Sequence, residues 1–161
     1  MTRKDIRDLG GRWAAILGFA DSLAARVGDT VLLAGRLAMG LIFFQSGAGK
    51  LMALDAFSRG LANRGVPFSE FWGPVGAISE FVGGTAIILG LGTRYAAALI
   101  IIFVIAATAI AHRYWDFTEP AARRLQHGQF YKNIAIIGGA LFLFVCAAGR
   151  YSLDALLTKK R

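Results

Sequence analysis

Cysteine occurs once in this chain of 161 residues, at Cys146. That scarcity excludes an intramolecular disulfide, a CxxC redox pair and a thiolate metal cage within the chain. Histidine is nearly as scarce. His127 lies in a polar stretch that holds Pro120 and Gly128, so His112 has no second histidine to face across a membrane interior, and a haem site of that kind is excluded. Ser-His-Asp order, a phosphate-cradling glycine loop and zinc-ligand spacing are lacking too. Charge is thin at 17% of residues, and acids are scarcer than bases, with 10 Asp and Glu against 18 Lys and Arg. The resulting net charge of +8 does not point to nucleic acid. The basic residues are scattered through termini and loops that flank apolar stretches, which is the distribution membrane topology demands.

What the sequence has in abundance is hydrocarbon: 56% hydrophobic residues and a mean hydropathy of +0.54. Four apolar blocks, close to Val31–Leu51, Trp72–Leu91, Tyr95–Ala111 and Tyr131–Ala148, each approach the ~20 residues that span a hydrocarbon core as a helix. The expected fold is an all-α integral membrane four-helix bundle, preceded by an N-terminal amphipathic interfacial helix. The connections near 52–71 and 112–130 are long and the one at Gly92–Arg94 is tight, as in an up-down-up-down arrangement. The division expected is an N-terminal segment at 1–28, the four-span domain at 29–155 and a basic tail at 156–161.

In the N-terminal segment Trp13, Ile16, Leu17, Ala20, Leu23, Ala24 and Val27 follow helical spacing, with Arg12, Asp21 and Arg26 elsewhere on the wheel. That pattern suits a helix lying on a bilayer. Asp21 and Arg26 interrupt the apolar run too early for a signal-peptide core, so the segment reads as mature sequence. Four spans put both termini on one side, where the flanking Lys and Arg number ten against seven opposite; this bias predicts cytoplasmic termini.

Charges inside apolar blocks are where function is sought, because an ionised side chain in a membrane costs at least ~2.5 kcal/mol unless it meets a partner or water. Arg36 and Glu80 are such charges. Arg36, Gly40, Phe43, Gly47 and Lys50 share one stripe of the first block, and Gly73, Gly76, Glu80, Gly83 and Gly84 share one face of the second. Glu80 is therefore expected to point into the bundle, with glycines allowing close helix approach. Lys50, His112, Lys132 and Asn133 fall at one level near the outer ends of three spans, and Glu80 lies ~12 Å beneath them at the helical rise of 1.5 Å per residue. The reading is a basic rim over a buried acid. Glu80 and His112 are the proton-handling candidates, and Lys50, Lys132, Asn133 and Arg36 the binding ones. Arg36 is also placed to snorkel to inner headgroups, and each rim cation alone is placed to anchor at an interface. Cys146, in the fourth block, reads as a small packing residue.

Several stretches together resemble the DoxX family of small bacterial four-helix membrane proteins: RLAMGLIFFQSGAGKL at 36–51, the Glu80-Phe-Val-Gly-Gly run closing in GLGTR at 90–94, Lys132-Asn133, and GRYSLD at 149–154. In that family Arg36, Lys50, Glu80, His112 and Lys132 have counterparts. The resemblance implies a cytoplasmic-membrane protein tied to redox processes, since relatives are linked to a thiosulfate:quinone oxidoreductase and to a membrane complex that handles oxidative and thiol stress. It implies a quinone or a small sulfur anion as ligand, without establishing an enzyme, and redox proteins or further copies as partners beside the bilayer. A non-enzymatic scaffold that recruits partners is the competing reading, and anion transport is a third that needs an oligomer.

Overall fold

The computed structural model describes residues 3–158, with side chains from Trp13 onward except Ala15 and Ile16. Lys159, Lys160 and Arg161 of the basic tail, and the side chains of Arg3, Lys4, Arg7, Arg12 and Ile16, lie outside the described residues. Among the described residues there are helices and turns but no strand. Four helices are long and apolar enough to cross a membrane.

Helix α1 runs unbroken from Arg3 to Met52. No proline precedes Pro67, so no residue in it lacks an amide hydrogen or clashes with the preceding turn. At 1.5 Å per residue it is about 75 Å long, more than twice a hydrocarbon core of ~30 Å. The boundary expected at residue 28 is thus no break in the backbone. What changes there is contact: Asp29 Oδ1 accepts the Arg150 backbone N–H at 2.8 Å, whereas every side chain from Leu17 to Val27 is exposed.

Helix α3 (Ser69–Leu89) packs against α1 along the glycine stripe. A Cβ on Gly40 would sit 2.8 Å from the Gly84 carbonyl oxygen, and one on Gly47 2.5 Å from the Phe81 backbone nitrogen. Backbone therefore meets backbone, the close approach that small residues permit between membrane helices. Helix α4 (Thr93–Ala111) follows a tight turn in which Gly90 and Gly92 take φ of +64° and +55°. It packs on α3 through Ala96, Ala97, Ile100 and Val104, which join Phe43, Ile87 and Leu143 in the core. Helix α5 (Pro120–Cys146) lies against α4 and meets α1 where Met39 abuts Gly139.

The two long connections are more ordered than their composition suggests. The first contains α2 (Leu54–Ala62), which crosses the start of α3 with Ser58 pressed on Gly73. The second is shortened because α5 begins at Pro120, about three turns of helix ahead of the apolar block. Pro120 brings a helical φ and no donor to waste, while the Glu119 carboxylate accepts the N–H groups of Ala121 and Ala122. Those two bonds hold the Glu119 carboxyl below the usual carboxylate range. His127 is consequently helical, stacked between Tyr114 and Tyr131. Cys146 is exposed at the end of α5, so the packing role expected of it is not the one it has.

Candidate functional site

Lys50 lies in the last turn of α1 and Glu80 about three turns into α3, and the glycine contacts between these helices bring the two side chains into direct ion pairing. Glu80 is 4% exposed and points inward, as its position among glycines requires. The Lys50 ammonium also rests against two rings, 5.0 Å from the centroid of Phe57 and 5.3 Å from that of Phe103. A cation that leaves water regains part of its solvation from such faces.

Lys50 forms part of the wall of a cavity of about 640 Å³ between α2, α3 and α4. Polar groups gather where these helices end: Lys50, Arg64 in the α2–α3 connection, and His112 just past α4. Deeper, the wall is Val75, Gly76, Leu99, Ile102, Phe103 and Ala106, with Ser79 the only polar side chain. From Trp72 to Ser79 on α3, and from Leu99 to Ala111 on α4, the cavity follows the helices for roughly 10–18 Å at 1.5 Å per residue. Its opening is lateral, between helices, because the wall residues Ile102 and Val75 are themselves exposed. Glu80 is not in the wall but behind Lys50. A bound molecule would touch the lysine, and the carboxylate would act through it.

His112 lines the same cavity, with Nδ1 2.8 Å from Gln126 Oε1 of α5, which fixes the ring's orientation. The Arg64 guanidinium donates to the Gly60 carbonyl at 2.8 Å. All three basic groups thus already have a protein partner.

The remaining candidates sit elsewhere. Lys132 is exposed and donates to Gln129 one turn back, away from the cavity. Asn133 is buried on the other side of α4, donating to Thr108 Oγ1 at 2.8 Å, while that hydroxyl donates to the Val104 carbonyl at 2.6 Å. This chain of bonds joins α4 to α5. The four-residue rim is therefore split: Lys50 and His112 come together, and Lys132 and Asn133 do not join them.

Arg36 lies at the opposite end of the bundle, only 1% exposed, so it does not snorkel. Its Nη2 donates to the Tyr151 carbonyl, while Nε and Nη1 are buried with no hydrogen-bond partner among the described residues. Around it the chain's final turns fold back on the α3–α4 connection. Asp154, in α6 (Leu153–Thr158), accepts from the Gly92 N–H at 2.7 Å, the Thr93 N–H at 2.9 Å and the Thr93 hydroxyl at 2.8 Å. A residue 61 positions away thus caps α4. Partial burial raises the Asp154 carboxyl, but the Thr93 and Gly92 bonds and the Arg36 charge outweigh it and hold the group below its ordinary value. The GLGTR and GRYSLD stretches are the two halves of this clasp.

Arg64, Phe57, Trp72 and Phe103 are functional candidates that no sequence pattern singled out. A signal existed for Phe57 alone: Leu54, Phe57, Ser58 and Leu61 keep three-to-four spacing through the supposed loop.

Four apolar helices and a buried carboxylate paired with a lysine at the edge of a side-opening cavity define a small multi-pass membrane protein of the helical-bundle class. The chain belongs to the DoxX family, whose pattern matches residues 31–113. It is 33% identical over 138 residues to the inner membrane protein YphA of Escherichia coli K12, covering 86% of this chain and 96% of that one. It is 33% identical over 132 residues to the inner membrane protein YqjF of the same organism, covering 82% and 95%. A Mycobacterium tuberculosis membrane protein, Rv3486, shares 30% identity over 139 residues, 78% of this chain and 80% of that one. No solved structure matches.

Proposed function

We propose that the protein is a component of a bacterial inner-membrane redox or thiol-stress system, and that it holds a quinone in the cavity between α2, α3 and α4 with both termini in the cytoplasm. The observation that carries this reading is the contrast within the cavity: a hydrocarbon-lined length that opens towards lipid, with Lys50 and His112 at one end. Such a lining suits an apolar tail, and the Lys50 ammonium suits a carbonyl oxygen on a polar head. A small sulfur anion is served less well. Lys50 is neutralised by Glu80, Arg64 and His112 are already hydrogen-bonded, and hydrocarbon cannot replace an oxyanion's water.

A quinone supplies two-electron, two-proton chemistry. The chain's part is to orient the head with Lys50, to hold that lysine's charge and position with Glu80, and to keep a proton-exchanging group at His112 beside the cavity mouth. With one cysteine the chain has no dithiol of its own, so electrons would come from a partner protein. The name "inner membrane protein" carried by YphA and YqjF supports the location.

The test is binding of a short-chain quinone to purified protein in nanodiscs. Lys50→Met should weaken it by about tenfold or more, the worth of one charge-assisted hydrogen bond, and Gly76→Leu should abolish it by filling the cavity. Equal binding by all three proteins would remove the cavity from the assignment. A second reading, a non-enzymatic scaffold, is favoured by the long exposed stretch of α1; it predicts no quinone binding by the unaltered protein and a reproducible protein partner.

A further inference from the structure

The part of α1 ahead of Asp29 is about 26 residues of helix, near 39 Å at 1.5 Å per residue. It extends past the polar belt of Asp29, Arg94, Arg150 and Asp154 that marks this end of the bundle. No described side chain from Leu17 to Val27 is covered, although Phe19 is 70% exposed and Leu17 60%. That is a costly surface to leave in water.

The uncovered residues fall in one register. Trp13, Ala20 and Val27 recur every seven residues, and Leu23 and Thr30 take the intervening position, so that the stripe advances by alternating threes and fours. In the sequence the same register takes in Ile6, Leu9 and Ile16. Leu17, Phe19 and Ala24 flank it. A stripe at this 3.5-residue period is the seam of a two-stranded coiled coil, for which Val at one seam position and Leu at the other favour two chains. The stripe does not stop at the membrane: Ala34, Leu37 and Leu41 continue it as exposed residues of α1, until Phe44 turns onto Phe81 of α3.

We propose that this stretch of α1 pairs with the same helix of a second copy, as a parallel coiled coil that makes the protein a dimer. The occupant follows from the geometry. Copies in one membrane share orientation and depth, so each stripe meets its own image at the same height and in register, with no other partner required. The described apolar side chains would bury on the order of 1,000 Å² across both copies, the lower bound for a specific interface. A helix flat on the bilayer would cover the same residues. It would also need a sharp turn between this stretch and the span, and helices turn sharply at proline or at a break in the hydrogen-bond ladder; neither interrupts Trp13–Met52.

The experiment uses the full chain in native membranes, with Cys146→Ala to remove the one natural thiol. Single cysteines go at Ala20 and Leu23 on the seam and at Ala25 on the far side of the helix. Mild oxidation should give covalent dimers at 20 and 23 in at least about fivefold excess over 25, as seam geometry dictates. Equal yields at the three sites, or none, would overturn the pairing. A fluorophore on the Leu23→Cys thiol adds a second readout: quenching by lipid-borne spin labels in place of cross-linking would assign the helix to the bilayer surface and defeat the proposal. Since neither measurement touches the cavity, its result is independent of quinone binding.

Discussion

Replacing the Lys50–Glu80 pair one member at a time should show that the pair is a unit. Two unit charges ~4 Å apart attract by about 4 kcal/mol at an effective dielectric of 20. Here the partners are unequal: the lysine side chain retains 27% exposure and the glutamate 6%. Part of the attraction offsets the lysine's lost hydration, but each single change also strands the remaining charge, so the cycle should give a coupling of about 5 kcal/mol, within the ~1.5–7 kcal/mol span of close charge pairs. Glu80→Gln leaves a cation facing Phe57 and Phe103, which return a little of its solvation, and should cost about 2 kcal/mol. Lys50→Met strands the more deeply buried carboxylate and should cost about 3 kcal/mol or more. The double variant should then unfold close to the original protein, because both the charge and its counter-charge are gone. Reversible unfolding in bicelles of the four proteins gives the cycle. A coupling below about 0.5 kcal/mol, the usual limit of additivity, would refute the argument. The double variant has a further use: stable but without the lysine, it should not bind quinone, which separates folding from recognition.

Gly47→Val should separate α1 from α3, because its new side chain would start 2.5 Å from the Phe81 backbone; a loss of at least about 2 kcal/mol in bicelle unfolding is expected, and an unchanged midpoint would contradict the packing. Gly90→Ala combines a φ of +64° with a Cβ that would collide with the buried Arg36 guanidinium, so it should cost about 2 kcal/mol or more and raise proteolysis at residues 149–158. Asp154→Asn should weaken the cap on α4 by about 1 kcal/mol. The same carboxylate fixes a pH dependence. Its folded value is depressed, so its stabilisation is complete above the unfolded value of ~3.9 and is lost as pH falls through the folded one. Melting temperature should therefore fall below about pH 4 in the original protein and less steeply in Asp154→Asn; parallel curves would deny Asp154 the role.

The four spans and the inward direction of Glu80 were legible because a bilayer punishes alternatives so heavily: apolar length and a charge among glycines leave little choice. The Lys50–Glu80 meeting follows from the same stripes, as Gly40 and Gly47 set how closely the two helices approach. Helical wheels carry no comparable information about neighbours. Lys132 matches Lys50 in depth, yet its side of α5 faces away from α3, and Asn133, one residue on, turns into the α4 contact instead. Equal depth is a one-helix property; a site requires the order of helices around the bundle, which depth does not encode. Arg36 illustrates the complementary limit. Its depth allowed snorkelling, and what removes that freedom is the return of Tyr151 and Asp154 from the far end of the chain, joined to it by no local pattern. The GLGTR and GRYSLD stretches, visible in the sequence only as family resemblance, acquire a physical reason once they touch. Two glycines give the turn its positive φ and leave room for the guanidinium, while one carboxylate supplies the cap that α4 lacks locally. The end of the bundle near Arg36 is thereby locked by its own chain, whereas at the opposite end the cavity is covered by α2, a nine-residue amphipathic helix. Rigidity at one end and a thin cover at the other is the division a membrane protein needs if a lipid-soluble ligand is to enter from the side without opening the whole bundle.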